Sequence, residues 1–240
     1  MKHSRLASYL GDYLAIMGIE TSPSEREVLV RHIELVLDAN QRVNLTRISD
    51  PEEAARLHTA DSLAVLGDVG TAARGRLLDL GSGAGFPGIP IAVCSDRTVL
   101  LLDSVGKKVM ALEAMIGPLG LTNRVSASSV RAEALARTDP AGFAVVTARA
   151  VSELPALVEL ASPLLAQSGR LICLKGSPSR LEISRADKVA GLAGMCLEYQ
   201  RHFDLPFGAG HRTVLCYRRA GVSIAKLPRR EGLAQHSPLA

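Results

Sequence analysis

The chain has 240 residues, 47% of them hydrophobic, and a net charge of +4 from 28 Lys and Arg against 24 Asp and Glu. That length suits one large α/β domain with a small extension, no stretch approaches the roughly 18 apolar residues of a membrane span, and the basic excess permits an anionic polymer as partner without requiring one. With no Trp, four Tyr and four Phe, the chain is short of stacking platforms for a sequence-tolerant single-strand binder, so shape and phosphate contacts would have to carry any recognition of RNA.

The N-terminus, Met1-Lys2-His3-Ser4-Arg5, is basic, but no clean apolar core and cleavage site follow, and a cytoplasmic location is expected. Apolar residues at Leu6, Leu10, Leu14 and Met17 mark a first helix. Ser22, Pro23 and Glu25 are start signals for a second, which runs to about Ala39 with Val28, Ile33, Leu35 and Leu37 available for burial. After Asn44-Leu45-Thr46 a third helix starts at Asp50-Pro51 and carries His58, Asp61 and Ser62. His58 and Asp61 lie i, i+3, close enough to bond each other or a ligand, but from their residue types alone they read as a helix-surface pair. Residues 1–66 thus read as a helical N-terminal cap.

From Arg76 the pattern alternates strand and helix. Strands are predicted at 76–80, 98–102, 124–127, 143–147, 170–174, 197–203 and 212–218, which gives an α/β fold: a doubly wound, mostly parallel sheet with an antiparallel edge formed by the last two strands. This domain spans 67–220. Residues 221–240 lack periodicity and read as a disordered tail. Cys94, Cys173, Cys196 and Cys216 are widely spaced and read as free thiols, mostly buried. No metal-ligand spacing occurs, so no metal is expected.

The chain turns on residues 76–90, RLLDLGSGAGFPGIP. A buried strand breaks into a glycine-rich turn, where missing Cβ atoms let backbone approach a ligand. Three readings are open. Gly83-Ala84-Gly85-Phe86-Pro87-Gly88 matches G-x-G-x-x-G, the dinucleotide turn, although Pro87 falls where the phosphate-binding helix should start. Asp79 followed by Gly81, Gly83 and Gly85 matches the S-adenosylmethionine pattern of a strand-ending acid and G-x-G-x-G. An ordinary strand-to-helix turn is the third. Asp103, ending the second strand, suits a ribose diol, which both cofactors carry. Asp79–Gly85, Asp103, Arg131–Glu133, Thr147–Arg149 and Lys175-Gly176 all fall at carboxyl ends of strands, the rim where such sheets bind ligands.

Four blocks make the sequence resemble the bacterial 16S ribosomal RNA guanine-N7 methyltransferase G family, also called glucose-inhibited division protein B. They are Asn44-Leu45-Thr46 with His58 and Asp61-Ser62; residues 78–90, LDLGSGAGFPGIP; residues 101–108, LLDSVGKK; and Arg149-Ala150 with Leu174-Lys175-Gly176. The similarity covers about residues 10–218. It implies methyl transfer from S-adenosylmethionine to N7 of a guanine, position 527 of 16S ribosomal RNA, in the 30S subunit or an assembly intermediate, by a monomer. Carried over residue by residue, it implies cofactor contacts at Gly81, Gly83, Gly85, Phe86, Asp103, Ala132, Glu133 and Arg149, with Arg149 also catalytic, and RNA contacts at Asn44, His58, Asp61, Lys107, Lys175 and Arg212; Lys108 adds a further phosphate-binding charge. The tryptophan that many relatives place before the asparagine is absent, and Thr213 stands where a histidine is common.

The residues bear on the acceptor too. Strand four ends Val146-Thr147-Ala148-Arg149-Ala150, without the [ND]-P-P-[YF] of exocyclic-amine methylation. Cys173 lies within its strand, where C5 methylation would need an exposed nucleophile. Guanine N7 has a lone pair and no proton, so an arginine site without a base suits it; a salt bridge from Arg149 to Glu153 is the structural alternative. A small-molecule methyltransferase and a nicotinamide-dependent oxidoreductase are the rival functions.

Overall fold

The computed structural model describes residues 2–240. Seven strands form one sheet in the order β3-β2-β1-β4-β5-β7-β6: β1 (Leu77–Leu80), β2 (Val99–Leu102), β3 (Val125–Ser128), β4 (Phe143–Arg149), β5 (Leu165–Lys175), β6 (Met195–Leu205) and β7 (Gly210–Arg219). The first five are parallel, and β7 runs antiparallel to both β5 and β6. Every residue of β1 is buried, as a central parallel strand requires. Strand order reverses between β1 and β4, which opens a crevice at their carboxyl ends.

The helices of the sheet region are α6 (Gly88–Val93), α7 (Gly106–Ile116), α8 (Ala132–Thr138), α9 (Leu154–Ala161) and α10 (Arg180–Leu192), numbered after five in the N-terminal part. Of these, α1 (Lys2–Ile16) and α2 (Pro23–Asn40) pack through Leu10, Leu14, Leu29 and Ile33, all at most 1% exposed. The expected start of α2 forms as a reciprocal capping box: Glu25 N–H donates to Ser22 Oγ, and Ser22 N–H donates to the Glu25 carboxylate. Its buried face differs from expectation. Leu29, Val30, His32, Ile33 and Val36 point inward, while Val28, Leu35 and Leu37 are only partly covered, because α2 packs against α1 on one side and the glycine turn on the other.

The third helix is not a plain α-helix. α3 (Pro51–Ala54) runs into a π-helical segment, Ala55–Ala60, before α4 (Asp61–Leu63) and α5 (Leu66–Thr71). Wide turns of this kind recur at functional sites, and this one carries His58 and delivers Asp61. The C-terminal residues also depart from expectation. Residues 221–240 are not a loose tail: they lie along α9 and α10 and include a short helix, α11 (Leu233–His236), with Ala234 1% exposed. The tail has no helical or strand period to read, because it is held by side chains of α9 rather than by regular structure of its own. No helix among the described residues is long and apolar enough to cross a membrane.

Candidate active site

The glycine turn is pinned from inside. Asp79 is fully buried; its carboxylate accepts from Gly88 N–H at 2.9 Å and from the Thr147 hydroxyl at 3.0 Å. Burial raises its pKa to about 6, against the pull of those donors. The acid of the motif therefore braces the turn and does not face the crevice. Gly81, Gly83 and Gly85 all adopt positive φ, but for different reasons. A Cβ on Gly81 would sit 2.4 Å from Val151 Cγ2, and one on Gly85 2.6 Å from Ile89 Cδ1. A Cβ on Gly83 would meet open space, with nothing nearer than Gly81 O at 4.0 Å. Gly85 thus serves internal packing, and Gly83 presents bare backbone to the crevice.

Val151, seated on Gly81, divides the rim into two recesses. The smaller, about 50 Å³, is lined by Gly81, Asp103, Ala132, Glu133, Val151 and Gln235, among others. Asp103 Oδ2 accepts from Gly83 N–H at 3.0 Å and Oδ1 from Val105 N–H at 2.9 Å. A carboxylate offers about four lone-pair sites, so this one retains capacity for a diol. Glu133 is 5% exposed, and its Oε1 accepts from Gly232 N–H at 2.7 Å. The expected adenosyl-orienting carboxylate is therefore engaged by the C-terminal tail.

The larger recess, about 570 Å³, lies between the cap and the sheet. Arg149 reaches into it from the end of β4. Its Nη1 donates to Leu57 O at 2.9 Å and to Asp61 Oδ2 at 3.1 Å, and its Nη2 contacts His58 Nδ1 at 3.2 Å. No bridge to Glu153 forms; Glu153 pairs with Arg185. Asp61 Oδ1 accepts from Arg212 Nε at 2.8 Å, so one buried carboxylate is shared by two arginines 63 positions apart in the chain. These contacts use three of the guanidinium's five N–H groups and leave two for a ligand.

His58 is locked in one tautomer. A guanidinium only donates, so Nδ1 is the bare nitrogen and Nε2–H donates to Thr46 Oγ1 at 2.7 Å. Burial, then the Arg149 charge, lowers its pKa to about 4. Its ring stacks on Phe86, 4.8 Å between centroids, and Phe86 also contacts His32 at 4.5 Å. Phe86 is both a core aromatic and part of the recess wall.

The sequence-expected residues divide accordingly. Gly81, Gly83, Phe86, His58, Asp61, Arg149, Lys175 and Arg212 line the larger recess, and Asp103, Ala132 and Glu133 the smaller. Asp61 and His58 are turned onto the arginines. Lys175 Nζ pairs with Glu182 at 2.9 Å and donates to Ser152 O. Asn44 is exposed and outside both recesses. Its loop is held by Asn40, whose Oδ1 accepts from Leu45 and Thr46 N–H. Lys107 lies in a separate groove beside α2, and Lys108 is the lysine that lines the larger recess.

Two residues stand out that composition and spacing did not single out. Thr46 accepts from His58 and from Ile48 N–H, which leaves its own hydroxyl hydrogen for a ligand. Ala150 holds φ +55° in the recess wall, a strained conformation for a residue with a Cβ. Only the placement of Thr46 directly after Asn44-Leu45 hinted at the first, and nothing local signals the second.

The family described as GidB, rRNA small subunit methyltransferase G, matches residues 25–203. A protein named ribosomal RNA small subunit methyltransferase G from Symbiobacterium thermophilum is 36% identical over 238 residues, covering 96% of each chain. One of the same name from Cupriavidus necator is 39% identical, over 78% of this chain and 82% of its own. Among solved structures, a geranyl diphosphate methyltransferase in complex with GPP and sinefungin superposes with a TM-score of 0.56 at 12% identity, over 83% of this chain and all of that one. The [4+2]-cyclase SpnF gives 0.53 at 15% identity, over 68% of this chain and 81% of that one. These structural likenesses speak to fold alone. Sequence and architecture agree, and the chain belongs to the GidB family of rRNA small subunit methyltransferase G proteins.

Proposed function

We propose that the protein transfers a methyl group from S-adenosylmethionine to N7 of a guanine in 16S ribosomal RNA. One observation carries this reading: the larger recess offers an arginine with free N–H groups and no free base. Its only imidazole and its only carboxylate among the described residues, His58 and Asp61, are both committed to arginines. An acceptor atom that must lose a proton would find nothing to take it. Guanine N7 loses none.

The residues fit the cofactor. Gly83 offers backbone that a side chain would block, Asp103 retains acceptor capacity for the ribose hydroxyls, and Ala132 walls the smaller recess. When bound, the cofactor supplies an electrophilic methyl on a sulfonium. Arg149, braced by Asp61, Leu57 O and His58, donates to guanine O6 and leaves the N7 lone pair bare for in-line attack. Transfer would exchange the cofactor's carbon–sulfur bond for an N7–carbon bond, its positive charge passing to the purine, so the residues of the recess would have no proton to take up. Arg212, Lys108 and Lys175 lie at the mouth, where phosphates pass.

The test uses labelled S-adenosylmethionine with 16S RNA from cells lacking this enzyme, offered naked, as an assembly intermediate and as 30S subunits. Label at one guanine, mapped to position 527 by cleavage at N7-methylguanine, is the expected result. Cofactor binding without label in any ribosomal RNA would overturn the assignment of substrate.

A further inference from the structure

The tail that sequence patterning leaves without structure reaches one of the two recesses. Arg229 grips Glu159 of α9 with both ends of its guanidinium, Nε to Oε1 at 2.6 Å and Nη2 to Oε2 at 2.7 Å, and Glu159 is 2% exposed. Leu239 N–H donates to the same carboxylate at 3.0 Å. Arg229 also donates to Ser237 O, which closes the segment into a loop. Within that loop Gly232, at φ +78°, turns its N–H onto Glu133. Gln235 is thereby held at the smaller recess opposite Asp103 and Ala132.

We infer that residues 227–240 form the outer wall of the adenosyl subsite and that Gln235 reads the adenine base. This rests on the cofactor reading given above. Glu133, the residue expected to orient the adenosyl group, spends a carboxylate oxygen on holding the strap. It is also chemically the poorer reader. The adenine edge sets a donor, N6–H, beside an acceptor nitrogen, and a carboxylate only accepts. A carboxamide donates and accepts side by side and matches both. Gln235 is exposed, and its carboxamide has no hydrogen-bond partner among the described residues, so it is free to turn onto a base. The recess of about 50 Å³ holds a few waters and no purine, so the strap must adjust as the base arrives.

The experiment is calorimetric titration of the full chain with S-adenosylhomocysteine and with its analogue carrying an unsubstituted purine, which lacks the N6 donor and so can make only one of the two bonds to a carboxamide. The native protein prefers the adenine form. Gln235→Ala weakens adenine binding about three- to tenfold, the worth of one or two hydrogen bonds, and loses the preference. Because Gln235 is exposed, the variant keeps its fold, which an unchanged Tm verifies. Hydrogen exchange across 229–237 slows when the adenine ligand is added to the native chain. Native affinity and native base preference in Gln235→Ala would overturn the role of Gln235 while leaving the cofactor reading intact. Failure of the native chain to bind either ligand would overturn the cofactor reading and this inference together.

Discussion

The two recesses on either side of Gly81 are built by opposite means. The turn and the smaller recess are organised by backbone: glycines at positive φ, Asp79 and Asp103 clasping N–H groups within about two dozen residues of sequence. The larger recess is organised by charge across the whole chain, with Arg149 and Arg212 meeting on Asp61 at separations of 88 and 151 residues. The first kind of construction is intolerant atom by atom. The second is a network, in which each partner holds more than one other.

The largest expected effect tests whether Arg149 is more than a strut. Arg149→Ala should cost at least about a hundredfold in methyl transfer, the scale of lost positioning at a reacting centre, with cooperative unfolding retained. Near-native rates would reduce it to a brace for the cap. Next comes the turn. Gly81→Ala places a Cβ 2.4 Å from Val151 at a positive φ, and should cost about 2 kcal/mol in urea denaturation and weaken S-adenosylhomocysteine binding. An unchanged midpoint would show that Val151 yields freely.

The network should give ground more gently. Asp61→Asn keeps one acceptor, and Arg149 keeps Leu57 O and His58, so about tenfold in rate and about 1–3 kcal/mol in stability are expected, within the range for a buried charged hydrogen bond. A loss equal to that of Arg149→Ala would mean that Asp61 acts on the substrate itself.

The smallest effect concerns pH. His58 and His32 are neutral in the fold, with pKa values lowered to about 4 and about 3, chiefly by burial. In the unfolded chain both protonate below their ordinary 6.5, so the unfolded state binds more protons there, and stability falls as pH drops from 6.5 towards 4. Asp79 works in the other direction: its raised pKa favours the protonated fold between 3.8 and about 6. His3, whose pKa is raised by its bond to Glu34, also favours the fold on acidification but is largely exposed and screened, so the two buried imidazoles give a net loss, read as the urea midpoint at pH 7 and pH 5. His58→Gln should flatten that slope. Transfer should show no ionisation of His58 near pH 6.5, and an inflection there would make the imidazole a base.

What could be read from the sequence follows the same division. The sheet, its strand positions and the glycine turn were legible, because alternation and punctuation are local. Arg149 and its neighbours were legible only as a resemblance between blocks. Spacing placed His58 and Asp61 on one helix face, but not facing Arg149, since nothing in residues 50–65 records a partner some 90 positions away. Lys107 and Lys108 are equivalent as letters, and the course of α7 sends one to each groove. The tail was missed because its order is lent by Glu159 and Glu133, and nothing near either residue records a partner 70 or 99 positions away.

The π-helical segment Ala55–Ala60 has a genetic consequence. Each residue of an α-helix turns the chain by about 100°. A π-helical turn takes in an extra residue without turning the two ends of the helix relative to each other. Loss of a single codon from this stretch, His58 apart, would let it close to an ordinary helix with Asp61 still facing the arginines it joins. In a collection of single-codon deletions, those between codons 55 and 60 that spare codon 58 should therefore be tolerated where the same loss inside α2, a regular helix, is not.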